Sequence, residues 1–179
     1  NCRRLYFTTA GVDGACEVAE SCLSKALKLA EIWTTRTLSL AAADSKYELI
    51  MLWVDFLDEL SCLQVVDIGK LSEAERACFF LNVYHTMVIH GSLVLFPPQT
   101  RSNWEPFFHD VAYLLSFNVL SIAEIEHNVI KACMAKPPRS ALGLGRIRAT
   151  PKTVFPGFAL KHRDFRLNFC INNGSVSMP

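Results

Sequence analysis

A chain of 179 residues that is 51% hydrophobic and 20% charged can close a core of its own. At this length roughly 70% of the extended surface is buried, so no metal or disulfide staple is required. A net charge of +1 removes bulk electrostatic attraction as an argument for nucleic-acid binding.

The chain opens on Asn1 rather than Met and is read as a segment of something longer. Residues 1–43 are expected to form an N-terminal helical extension, with one helix over about 16–33, ahead of a domain over 44–179. Three S-x-x-E capping boxes follow: Ser45 with Glu48, Ser72 with Glu75, and Ser121 with Glu124. In each, the hydroxyl can cap a backbone N–H while the carboxylate reaches back to the cap residue. The first predicts an amphipathic surface helix over about 46–62, with Leu49, Trp53, Phe56, Leu57 and Leu60 on one side and Asp55, Asp58 and Glu59 largely on the other. The second predicts a helix over about 73–95 that is apolar nearly all round, and so a central, buried one. Its longest apolar stretch, 86–96, is interrupted by His90 and Gly91 and is too short to span a bilayer, so no transmembrane segment is expected.

Residues 111–117 read as a strand, and the third box starts a helix over about 122–134 with Ile125, Val129 and Ile130 inward. The stretch 136–157 is rich in Pro, Gly and Arg and reads as loop. Residues 166–171 read as a second strand. Asn172, Asn173 and Gly174 then turn the chain, and Ser177 and Pro179 begin a helix that the chain does not continue, so the domain is expected to be truncated there. The fold class is α+β: a helix-rich domain with a buried central helix and a small antiparallel sheet.

Seven cysteines (Cys2, Cys16, Cys22, Cys62, Cys78, Cys133 and Cys170) stand in apolar contexts without a CxxC pair. They read as reduced thiols packed as small hydrophobes, hence a cytoplasmic protein with no cofactor and no metal. Charge is unevenly spread: positions 44–75 hold eight acids against two lysines, and 136–166 hold eight Lys or Arg against Asp164 alone. Two readings stand, opposed solvated surfaces or a basic groove at Arg139, Arg146, Arg148 and Lys152 for an acidic partner or lipid headgroup.

Polar residues interrupt the buried elements. Asn82 and His85 share a face of the central helix, where an unpartnered amide or imidazole would cost about 1–3 kcal/mol, so partners must exist. They either tie down a neighbouring loop or wall a pocket. Glu126 and His127 are adjacent, so on an α-helix their side chains diverge by about 100° and do not face one pocket squarely. Either could serve acid–base chemistry, or Glu126 could simply border the buried face. His162, in the basic run KHRDFR, reads as a surface residue, with Asp164 placed to pair with Arg163 or Arg166.

Three blocks together carry a family resemblance. LSEAERACFFLNVYHTMVIH (71–90), VAYLLSFNVLSIAEIEHNVIKA (111–132) and DFRLNFCINNGSVSMP (164–179) resemble, in order, the signature blocks of the domain-of-unknown-function 547 family. The resemblance implies a cysteine-peptidase-like fold related to papain-like or transglutaminase-like hydrolases, in which a Cys before Pro at a helix start would be the nucleophile and a His the base. Asn82, Tyr84, Glu126, His127, Arg166, Asn172, Gly174, Ser177 and Pro179 match the pattern. Where the pattern has a second helix Asn, a strand His, a Cys after the strand and the Cys before Pro, this chain has His85, Asn168, Asn173 and Met178. Methionine has no ionisable thiol and asparagine takes no proton near neutral pH. The expectation is therefore a non-catalytic binding or scaffolding module of a larger protein, with a protein or another domain as partner. The alternative is a rebuilt hydrolase or transferase site with Ser177 as nucleophile, His127 or His85 as base and Glu126 as orienter.

Overall fold

The computed structural model describes residues 14–36, 43–134 and 157–172. Two long helices precede the central one: α1 (Ala15–Arg36) and α2 (Ala43–Cys62). On α1 the buried residues are Ala15, Ala19, Cys22, Ala26 and Leu29, spaced alternately four and three apart. That is the seam of helices packing side by side, and its small side chains let the backbones approach closely. The partner across it is chiefly α3 (Glu73–Leu95), with α2 alongside. Lys25 of α1 closes the α1–α2 side, reaching Asp55 at 3.0 Å and Glu59 at 2.8 Å. Glu59 is thus half-buried in an ion pair rather than on a free polar face. Because α2 begins at Ala43, Ser45 lies inside its first turn and not before it.

The central helix runs over the predicted 73–95, with both bonds of the Ser72–Glu75 capping box formed. Phe79, Phe80, Val83, Tyr84, Met87 and Val88 are buried along it. By length and composition α3 could cross a membrane, a reach that stretch 86–96 alone does not have. Here Phe79, Phe80, Val83, Tyr84, Met87 and Val88 belong to the protein's own core, while Val94 and Leu95 at its end are exposed. Gly91 admits a close neighbour: a Cβ there would lie 2.9 Å from Cζ of Phe107. Phe107 sits on α4 (Arg101–Asp110), a helix carrying Pro106 in its interior that the sequence reading did not anticipate.

Among the described residues the sheet is a single hairpin, β1 (Ala112–Leu115) against β2 (Asn118–Ser121). Its second strand is β2 and not residues 166–171. The two-residue turn, Ser116–Phe117, has φ of 46° and 65°. This is the positive-φ geometry that suits strand twist and usually selects Asn-Gly. The turn is docked by its own backbone: Ser116 and Phe117 N–H groups each donate at 3.0 Å, to the carbonyls of Leu63 and Gln64 just past α2. Ser121 ends β2 and caps α5 (Ile122–Glu124) with a complete capping box. The helix then widens into a π-helix over Ile125–Ile130 instead of continuing as α to 134.

Residues 157–172 form a strap across α3 and the π-helix. Leu160 N–H donates to the Val129 carbonyl at 3.1 Å, and the Cys133 thiol donates to the Leu160 carbonyl at 2.7 Å. Phe158 packs on Phe80 with ring centres 5.8 Å apart. The predicted strand at 166–171 is instead a one-turn helix, α6 (Leu167–Cys170). Leu167 and Ile171, four apart, are buried while Phe169 is 78% exposed, so the apolar period here is helical and not alternating. The expected loop over 136–157 lies outside the described residues, apart from Gly157.

Candidate functional site

Tyr84 is the largest of the fully buried side chains, at the middle of α3. Its hydroxyl emerges beside the π-helix and donates to Oε2 of Glu126 at 3.1 Å. Lys131 takes the other oxygen, Nζ to Oε1 at 2.7 Å. Burial, and then the Glu126 charge, push the Tyr84 phenol well above its ordinary range, so it remains a donor at any physiological pH. A largely buried carboxylate is tolerable here because both oxygens have partners.

The π-helix decides where the neighbour of Glu126 points. Lys131 N–H bonds the Glu126 carbonyl at 2.9 Å, an i→i+5 bond that puts more residues in the turn. Adjacent side chains then diverge less than on an α-helix. Glu126 and His127 accordingly line one cleft, of about 130 Å³, where the sequence reading had them facing apart. The opposite wall is α4, with Glu105 and His109 one turn apart and Phe108 between them, and Ala123 completes the lining. Two acidic residues and two histidines therefore border one small space. Among the described residues no group of three or more His, Cys, Asp or Glu is arranged to hold a metal ion.

His85 does a different job. Its Nδ1 lies 2.8 Å from the Leu81 carbonyl, one turn back on α3, and its Nε2 accepts the Asn172 N–H at 3.2 Å. A carbonyl facing Nδ1 and an N–H facing Nε2 select the tautomer with the proton on Nδ1. Burial lowers the imidazole's affinity for a second proton. Tyr84 presents its ring edge-on to His85 at 5.4 Å. Asn82, one turn from His85, is half-buried, and its backbone carbonyl accepts the Thr86 hydroxyl at 2.8 Å.

The opposite end of the strap is held by Glu73, in the first turn of α3. Oε1 accepts the N–H groups of Lys161 and His162 at 2.7 and 2.6 Å, and Oε2 meets the His162 ring. His162 is exposed, as read from sequence, yet it belongs to this clamp. Asp164 pairs with Arg166, Oδ2 to Nη2 at 2.7 Å, at the start of α6.

Residues 68–179 match the model of the family described as "Protein of unknown function, DUF547". The chain belongs to this family. No curated protein and no solved structure matches it. Within the DUF547 region, Tyr84 and Glu126, from separate signature blocks, are in direct contact, so the blocks carry a structural pair. His85 binds the third block through Asn172. Asn168 is exposed on α6, with its backbone N–H on the Phe165 carbonyl. Asn173, Ser177 and Met178, like Arg139, Arg146, Arg148 and Lys152, lie outside the described residues.

Sequence reasoning missed Lys131, Glu105 and His109. The i,i+4 spacing of Glu105 and His109 was available, but only once 101–110 was known to be a helix. It also passed over His90, whose Nδ1 shares a 2.6 Å hydrogen bond with the Tyr113 hydroxyl inside a ring cluster of Trp53 and Phe56.

Proposed function

We propose that this DUF547 domain is a non-catalytic binding module with a cysteine-peptidase-like ancestry, working beside other domains of a larger intracellular protein. The observation that carries the reading is the state of His85 and Glu126. A general base needs a lone pair directed at substrate. His85 spends one ring nitrogen on Leu81 and the other on Asn172, and Glu126 spends its oxygens on Tyr84 and Lys131. These bonds hold the protein together rather than face a reactant. Met178, Asn173 and Asn168 stand where the family pattern has its thiols and imidazole, which agrees with lost chemistry. The cleft between α4 and the π-helix is the surface that a partner group would enter. The basic residues Arg139, Arg146, Arg148 and Lys152 supply a second contact for an acidic partner, recognisable by binding that weakens as salt rises.

The test is covalent labelling of the protein with thiol- and hydroxyl-directed activity probes. No stoichiometric site is expected. Labelling confined to one residue and abolished by His127→Ala would sink the binding-module reading. It would favour the rebuilt hydrolase, with Ser177 attacking and His127, which lines the cleft beside Glu126, as base.

A further inference from the structure

The strap over 157–172 turns two phenylalanines outward. Phe165 and Phe169 stand two residues before and after Leu167, which is buried, as is Ile171. Two residues make just over half a helical turn, so both rings fall on the side of α6 away from the core. They are 69% and 78% exposed. The backbone that carries them is fixed: Asn168 N–H donates to the Phe165 carbonyl at 3.1 Å and Phe169 N–H to the Arg166 carbonyl at 3.0 Å. Glu73 holds the strap upstream of the pair and His85 holds it downstream.

Cations flank the pair in the chain. Residues 161–166 carry Lys161, Arg163 and Arg166 against Asp164 alone, and all three cations are exposed. Asp164 is taken up by Arg166, whose Nε and Nη2 meet its oxygens at 3.0 and 2.7 Å. Glu73, the other acid at this face, accepts the backbone N–H groups of Lys161 and His162 and meets the His162 ring. Among the described residues neither the Lys161 ammonium nor the Arg163 guanidinium has an ion pair. Exposed rings alone do not say what covers them. Rings set among unpaired cations ask for a surface that is apolar beneath and acidic above. A bilayer with anionic headgroups is both, taking rings at the acyl boundary and cations at the headgroups.

We propose that the outer face of the strap, formed by Phe165 and Phe169 with Lys161, Arg163 and Arg166, is a docking surface for anionic membranes. It is independent of what the cleft between α4 and the π-helix binds. The contact is peripheral and reversible, because two rings and a few cations fall far short of a spanning helix.

Co-sedimentation of the intact chain with vesicles tests this, using phosphatidylcholine alone or equal parts phosphatidylcholine and phosphatidylserine. Binding should be at least about tenfold tighter to the anionic vesicles and should weaken as salt rises. Phe165→Ser with Phe169→Ser should lower the affinity by about tenfold or more through lost apolar burial. Lys161→Gln with Arg163→Gln should lower it by about twentyfold, each cation contributing about fivefold. Equal binding to the two vesicles overturns the proposal. So does salt-sensitive binding that the phenylalanine variant leaves intact, which would place the contact on another basic stretch such as 136–152. Failure to sediment with either vesicle also overturns it. If the phenylalanine variant then abolishes self-association instead, the face is a contact between copies of this chain. Should one variant fail to fold, the other, with the lipid and salt dependence of the native chain, decides.

Discussion

Acid should unfold this domain through His90. The side chain sits on α3 amid Trp53, Phe56 and Tyr113, with ring centres 5.7, 5.2 and 5.9 Å away. Burial depresses its pKa from the ordinary 6.5 to about 4. In the unfolded chain the ring protonates near 6.5, so between that value and about 4 the unfolded state binds the extra proton. The stability tied to a neutral His90 is fully present above 6.5 and is lost as pH falls through that window. At 1.36 kcal/mol for each pH unit of separation, the loss approaches roughly 3 kcal/mol, a large part of a typical domain's 5–15 kcal/mol. The assay is urea unfolding at a series of pH values for the native chain and for His90→Asn. Asparagine keeps an acceptor near the Nδ1 position but cannot titrate. The native-minus-variant stability difference should shrink by about 3 kcal/mol from neutral pH to pH 4. A difference that stays constant across that range would refute the argument, since another group would then be responsible.

Three packing predictions can be read in the same denaturation assay. Gly91→Ala should destabilise by about 1–3 kcal/mol despite alanine's better helix propensity, because its Cβ would meet Phe107 and Val111 at 2.9 and 3.1 Å. A neutral or stabilising result would mean that α4 can shift away freely. Ala19→Leu, at a fully buried point of the α1 seam, should likewise cost about 1–3 kcal/mol through overpacking. An unchanged midpoint would show α1 to be detachable from α3. Phe117→Gly should stabilise by about 1 kcal/mol, since it relieves a φ of 65° and sacrifices a side chain that is 76% exposed. A loss of stability would show that the Phe117 ring makes contacts in solution that its exposure does not predict.

Local rules carried much of the fold. The Ser72 and Ser121 capping boxes each marked a real helix start, because cap and carboxylate satisfy one another within four residues and need no help from elsewhere. The all-round apolar character of 73–95 marked the central helix, since no other placement hides so much apolar surface. Of the site, Glu126 was legible as a polar residue bordering a buried face, His127 as its neighbour able to serve acid–base chemistry, and His85 as an imidazole that had to find partners.

Which partners they found was settled only by assembly. Lys131 meets Glu126, and Glu126 and His127 share a cleft with α4, because a π-turn re-aimed side chains that an ideal helix would separate. The hairpin hid because its turn is Ser116–Phe117 rather than Asn-Gly, a strained choice held by carbonyls of Leu63 and Gln64 some fifty residues earlier in the chain. Residues 166–171 were misread as a strand because a run this short fits either period. Burial of Leu167 and Ile171 against the core chose the helical one. Composition and capping act within a few residues, so a single sequence determines them. Register, re-aimed side chains and the bond from Asn172 to His85, 87 residues apart, depend on surfaces that exist only when the chain is folded.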